Sequence, residues 1–142
     1  MADRTASAVW QGDLFSGSGT VSAVTTGLFT DAGVTWASRT EDPGGKTSPE
    51  ELLAAAHAAC FSMALSNELS SRGHPPSQLE VHATCTFEPG KGITTMAIDV
   101  SAEAPGVDEA GFREGLDAAR DSCPVSNALR GNVDIQVDGT LA

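Results

Sequence analysis

Apolar and polar residues alternate with a period of two through residues 79–88. Leu79, Val81, Ala83, Cys85 and Phe87 fall on one side, and Glu80, His82, Thr84, Thr86 and Glu88 on the other. That spacing predicts a strand with one buried and one wet face. Met96, Ile98, Val100 and Ala102 repeat the pattern against Thr95, Asp99, Ser101 and Glu103, with the turn residues Pro89-Gly90-Lys91-Gly92 between the two runs, so a hairpin is expected. Val133, Ile135 and Val137, alternating with Asp134, Gln136 and Asp138, predict a closing strand. The first third is more broken and alternates short β-prone pieces with glycine turns: residues 6–10, then the glycine-bounded 12–19, then 20–25, then 28–36 broken by Asp31-Ala32-Gly33. This reads as an antiparallel meander.

A different period begins at Ser48-Pro49-Glu50-Glu51. A serine cap, a proline at the first helical position and a glutamate three residues after the cap together predict a helix start. The helix should run to about residue 72, stopped by Gly73 and Pro75-Pro76. Its middle, from Leu52 to Leu65, is apolar almost all round, as expected for a helix enclosed on most sides rather than one with a wet face. A second helix is expected over 108–121 and a short one over 124–130. The polar, glycine-rich connection over 39–47, which begins with Arg39, has the character of a loop that places functional groups. Strands cluster before and after the helices without a regular alternation, which favours an α+β fold over a parallel α/β sheet. So few short strands cover an all-round apolar helix poorly, and a second copy of the chain, a homodimer, is the economical cover.

Length and charge narrow the function. At 142 residues the chain fits a single domain, 1–142, that buries roughly two-thirds of its unfolded surface. No apolar run approaches the ~18 residues of a membrane span, and the opening residues do not read as an export signal, so a cytoplasmic protein with no membrane partner is expected. The 19 acidic against 8 basic residues leave a formal charge of -11, which repels a phosphate backbone and argues against nucleic acid. Three cysteines form neither a dense nor an even set, which points to a reducing compartment and to thiols kept for chemistry or packing.

Cys85 lies on the apolar side of its strand, where a thiol behaves as a small hydrophobe. Cys60 sits mid-helix, a position that by itself reads as packing more readily than as chemistry. Ser122-Cys123-Pro124 sets Cys123 at the start of the short helix, where free amides stabilise a thiolate, so local physics alone nominates Cys123 as the more acidic sulfur. There is no Cys-x-x-Cys, and His57, His74 and His82 fall on a helix, a turn and a wet strand face, so neither a metal nor a cofactor is expected.

A resemblance changes this weighting. Pro49-Glu50-Glu51-Leu52, then Ala55-Ala56-His57-Ala58-Ala59-Cys60-Phe61-Ser62-Met63-Ala64-Leu65, then Cys123-Pro124-Val125-Ser126 resemble the OsmC branch of the OsmC/Ohr family, and Ala8-Val9-Trp10-Gln11-Gly12-Asp13 extends the likeness over nearly the whole chain. The resemblance implies an OsmC-like fold, with antiparallel sheets around a long buried central helix in an intertwined homodimer. It also implies a thiol peroxidase that reduces organic hydroperoxides to alcohols and acts less efficiently on inorganic peroxide. Cys60 would be the peroxidatic sulfur and Cys123 the resolving one, with Arg39 and Glu50 matching the family's arginine and glutamate. A dithiol, of lipoyl type in the Ohr relatives, would be the reductant.

The chemistry asks for an ionised sulfur, a cation, a second sulfur and an apolar lining. Arg39 is the candidate cation and Glu50 its bidentate holder. Glu50 and Cys60 lie about 15 Å apart along one helix and about 80° apart in direction, so a Glu50 that serves Cys60 comes from the partner chain. The plainer alternative is that Glu50 is a first-turn acid facing the helix dipole, with Glu51 the capping residue. Ala56, Ala59, Phe61, Met63 and Ala64 would make the surroundings of Cys60 greasy, and His57, one turn before it, is either a proton donor or a structural histidine. The rival from another class is a non-enzymatic ligand- or partner-binding stress protein of the same fold. A general disulfide oxidoreductase fits less well for want of Cys-x-x-Cys.

Overall fold

β1 (Ala6–Gln11), β2 (Ser18–Ala23) and β3 (Ala32–Val34) pair in sequence order as the expected antiparallel meander in a computed structural model that describes residues 1–142. They belong to the first of two compact units, Met1–Leu52 and Leu53–Ala142. Gly19 is opposite Trp10, and a Cβ there would come within 2.7 Å of the indole and 2.5 Å of the Val9 carbonyl, so the strand pair needs a residue without a side chain. The break expected at Asp31-Ala32-Gly33 is narrower than the sequence suggests. Asp31 alone takes a left-handed φ of 54°, its amide donates to Ser22 Oγ at 2.8 Å, and Ala32 and Gly33 are already strand.

Arg39 is not in a loop. It lies in a five-residue helix, α1 (Trp36–Thr40), started by a reciprocal cap in which the Ser38 amide donates to Thr35 Oγ1 at 3.0 Å and the Thr35 amide to Ser38 Oγ at 3.0 Å. The polar connection begins after it. The long helix α2 (Pro49–Ser71) starts as expected, with Ser48 Oγ accepting from the Glu51 amide at 3.1 Å.

The second unit takes up α2 from Leu53. β4 (Gln78–Glu88) and β5 (Gly92–Glu103) form the expected hairpin, with a register shift at Thr86/Phe87. α3 (Glu109–Ser122), capped by Asp108, and α4 (Pro124–Leu129) follow, and β6 (Asp134–Leu141) closes the chain. The sheet order is β4-β5-β6, but β6 runs parallel to β5. This corrects the expectation of antiparallel sheets throughout, and the reason is connectivity: α3 and α4 supply the long crossover that a parallel neighbour requires.

Phe61, Leu65 and Leu69, four residues apart on α2, meet Met96, Ile98, Val100 and Ala102, two apart on β5, and Phe112, Leu116 and Ala119 of α3 in one core. The remaining faces of α2 are left open by a single chain. Ala55, Ala56 and Ala59 are exposed, and Met63 is 68% exposed. Within one chain, α2 buries a stripe, not its whole circumference. No helix is long and apolar enough to cross a membrane.

Candidate functional site

α2 and the junction of α3 with α4 bring two of the three cysteines together. Cys60 Sγ and Cys123 Sγ are 3.3 Å apart, hydrogen-bonding distance for sulfur, although 63 positions separate them in sequence. Both are free thiols, Cys60 half-buried and Cys123 fully buried. Cys123 is placed by the chain's turn from one helix to the next, since it is at once the C-cap of α3 and the N-cap of α4, with Pro124 fixing the first turn. Cys85 lies apart on β4, half-buried against the core.

The two sulfurs differ in acidity. Burial pushes the Cys60 thiol up; the Val125 amide opposes this, but the adjoining Cys123 sulfur adds to the rise. Burial also acts to raise Cys123, yet the amide and hydroxyl of Ser126, the Cys60 thiol and the Val125 amide together hold it below the ordinary thiol value. The Cys123 side chain makes no capping hydrogen bond at the start of α4. Within this unit the more acidic sulfur is therefore Cys123, the one that position alone nominates.

Ser126 has a second neighbour. His57 Nε2 lies 2.7 Å from Ser126 Oγ, and both residues are 0% exposed. Desolvation lowers the His57 pKa and keeps the ring neutral. Its other nitrogen, Nδ1, is buried without a hydrogen-bond partner.

The first unit holds the other two predicted site residues, also together. Arg39 Nε donates to Glu50 Oε1 at 2.9 Å and to Oε2 at 3.2 Å, and Nη2 donates to Oε1 at 2.7 Å. The Glu50 side chain is 8% exposed, which limits the screening of this pair. The Arg39 guanidinium also lies over the Trp36 ring, 5.8 Å from its centroid, and Phe15 meets that ring edge-on. Arg39 and Trp36 border an apolar cavity of about 470 Å³ lined also by Trp10, Leu14, Val21 and Val34. Glu51 takes neither the arginine nor its own cap; its carboxylate accepts from Thr47 Oγ1 at 2.6 Å.

The sequence reading gave no role to Trp36, whose ring lies under Arg39, or to Ser126, which it quoted only within the Cys-Pro run. Trp36 is found in the chain only by noticing that it shares one helical turn with Arg39, and Ser126 only by reading past Cys-Pro to the third residue of α4. It also assigned Phe61 to a greasy lining, whereas Phe61 is 0% exposed and belongs to the core. No three His, Cys, Asp or Glu side chains converge as metal ligands.

Residues 42–138 match the OsmC family, described as OsmC-like protein. The peroxiredoxin OsmC of Escherichia coli K12 is 36% identical over 129 residues, 89% of each chain. The organic hydroperoxide resistance protein of Xanthomonas axonopodis pv. citri is 32% identical over 100 residues, 70% of this chain and 69% of its own. Among solved structures, the organic hydroperoxide resistance protein OhrB of Bacillus subtilis superposes with a TM-score of 0.66 at 25% identity, covering 96% of this chain and 98% of its own. An OsmC-like protein from Mycoplasma pneumoniae superposes with a TM-score of 0.73 at 19% identity, covering 99% and 98%, a likeness of fold. With a family match across most of its length and a relative 36% identical over 89% of both chains, this chain belongs to the OsmC/Ohr family.

Proposed function

We propose that this protein is a two-cysteine thiol peroxidase that reduces organic hydroperoxides to alcohols. The observation that carries the reading is the pair of reduced sulfurs 3.3 Å apart at Cys60 and Cys123. A Cys60 thiolate attacks the terminal peroxide oxygen; the O–O bond breaks, the alkoxide leaves and takes a proton, and Cys60 becomes a sulfenic acid. Cys123 then displaces hydroxide from that sulfur, which leaves as water, and a disulfide forms. A dithiol, of the lipoyl class by family likeness, returns both sulfurs to thiols.

Ionising Cys60 against its own burial and against Cys123 calls for a cation. Arg39 is that cation and Glu50 its holder, and helix geometry favours their arriving from the second chain of a homodimer, since a straight α2 separates Glu50 from Cys60 by about 15 Å. The apolar cavity beside Arg39 suits an alkyl hydroperoxide better than hydrogen peroxide on solvation grounds. The exposed faces of α2, with Phe15 and Leu28 at 75% and 83% exposure in the first unit, are what a second copy would cover.

Cumene hydroperoxide consumption and mass spectrometry after one equivalent of peroxide test this. Cys60→Ser should abolish turnover, while Cys123→Ser should permit the first oxidation without a disulfide. In the parent, Cys60 and Cys123 should be found joined. Undiminished consumption by both variants would rule the reading out.

A further inference from the structure

The two-cysteine scheme leaves His57 and Ser126 without a task, although both residues are 0% exposed and share a hydrogen bond of 2.7 Å between Nε2 and Oγ. Their placement repeats that of the sulfurs. His57 stands three residues before Cys60 on α2, and Ser126 three residues after Cys123 on α4, so within each element the neighbours lie about one helical turn apart. The two cross-links, His57 to Ser126 and Cys60 to Cys123 at 3.3 Å, therefore join the same two elements as adjacent rungs, taken in opposite chain directions. The first rung is polar where an apolar one would cost less. His57 Nδ1 is buried with no hydrogen-bond partner, whereas a leucine at this position would orphan no ring nitrogen. What the polar pair adds is definition, because a hydrogen bond forms only within a narrow range of distance and angle while apolar contacts tolerate sliding. α4 has need of it: six residues long, it packs on the core through Val125 and Leu129, both only partly buried.

We propose that the His57–Ser126 contact is a clasp that holds Cys123 against Cys60 and so sets how readily the two sulfurs join. Both are positioning residues, and they act through the seat of α4 on α2. In closure the Cys123 thiolate attacks the sulfenic sulfur of Cys60, the S–S bond forms as the S–O bond breaks, and the departing hydroxide becomes water with the proton that Cys123 gave up. The sulfenic sulfur is reduced and Cys123 oxidised, with no further reagent. The rate of such an intramolecular step follows the effective concentration of one sulfur at the other, and a misplacement of about 1 Å can slow it about a hundredfold.

The same reasoning holds at equilibrium. The clasp and the disulfide restrain one pair of elements, so each lowers the entropy that the other must lose in forming, and the coupling is reciprocal. Removing the clasp should lower the effective concentration of the two thiols and make the disulfide easier to reduce. Loss of core packing elsewhere weakens the oxidised and reduced folds alike and leaves that equilibrium in place. A clasp is also non-additive, since once one partner is gone the other has nothing to hold.

The role in closure rests on the peroxidase reading; the clasp itself does not. Two measurements separate them. Equilibration with a dithiothreitol redox buffer, quenched by alkylation and read by mass spectrometry, should show the effective concentration of the Cys60–Cys123 pair lowered about tenfold in Ser126→Ala and in His57→Leu, roughly 30 mV on a two-electron couple. The double variant should shift no further than either single one, and His57→Gln, whose side-chain amide can bond the same hydroxyl, should stay near the parent. Leu69→Val, a change in the core about two and a half turns along α2 from Cys60, should lower the urea midpoint and leave the redox equilibrium where it was. Stopped-flow oxidation with one equivalent of cumene hydroperoxide should show closure slowed about tenfold in the two single variants, with the first phase kept. An unshifted equilibrium in both single variants, shifts that multiply in the double variant, an equal shift in Leu69→Val, or closure at the parent's rate overturns the clasp. If the equilibrium shifts but the parent consumes no hydroperoxide, the clasp stands and the peroxidase reading falls.

Discussion

A neutral histidine in a fully buried site ties folding to pH. Desolvation depresses the His57 pKa below its ordinary 6.5, so on acidification the unfolded chain takes up a proton that the folded chain refuses. The unfolded state then binds more protons, and stability falls as pH drops from 6.5 towards the depressed value. Urea unfolding at pH 7.5 and 5.5 should show that loss in the parent and a smaller one in His57→Gln; equal losses would remove His57 as the cause. At the other pair of site residues, Glu50→Gln keeps the shape of the partner but replaces charge-assisted bonds with neutral ones. It should slow peroxide-dependent oxidation of Cys60 by about tenfold while leaving Cys123 titration in place. At this scale the sequence was informative about residue types and blind to meetings. Both cysteines, Arg39 and Glu50 stand in recognisable local contexts, whereas His57 and Ser126 are 69 positions apart and nothing in either context announces the other.

Elements were legible where a period ran long enough. α2, the β4–β5 hairpin and α3 each complete several repeats, and their observed ends fall close to the expected ones. α1 does not: five residues barely make one turn, and its start is signed by Thr35 with Ser38 rather than by the glutamate or glutamine of the usual box. The direction of β6 escaped for a different reason, because an alternating pattern fixes which face is buried and says nothing about whether neighbours run parallel. Arg39 rides on the last turn of this small helix. Thr35→Ala removes the side-chain acceptor for the Ser38 amide and should cost about 1 kcal/mol of stability, read by denaturant midpoint. It should also reduce the rate of the first oxidation by loosening Arg39, whereas an alanine change at exposed Thr26 should do neither.

For the whole molecule, surface chemistry pulls in two directions. Apolar residues of α2 and of the first unit lie open in a single chain, which favours self-association, while each chain carries a formal charge of -11, which opposes it. Light scattering should therefore find a dimer whose dissociation constant falls as salt is raised from about 10 mM to about 0.15 M, as screening removes the repulsion. Ala59→Glu, on an exposed face of α2, should yield monomers with little peroxidase activity and an intact fold. An active monomeric variant would show that Cys60 needs nothing from a second chain.

The 63-position separation of Cys60 and Cys123 has a mechanical meaning. Joining them ties nearly half the polypeptide into a covalent ring, and the lost freedom of the denatured chain is worth about 4 kcal/mol before any strain. The oxidised form should melt about 10 °C above the reduced one, so calorimetry would report redox state. Each turnover would then carry the protein between a tethered, heat-resistant form and a slacker one, and the reductant would meet the molecule in its most rigid condition.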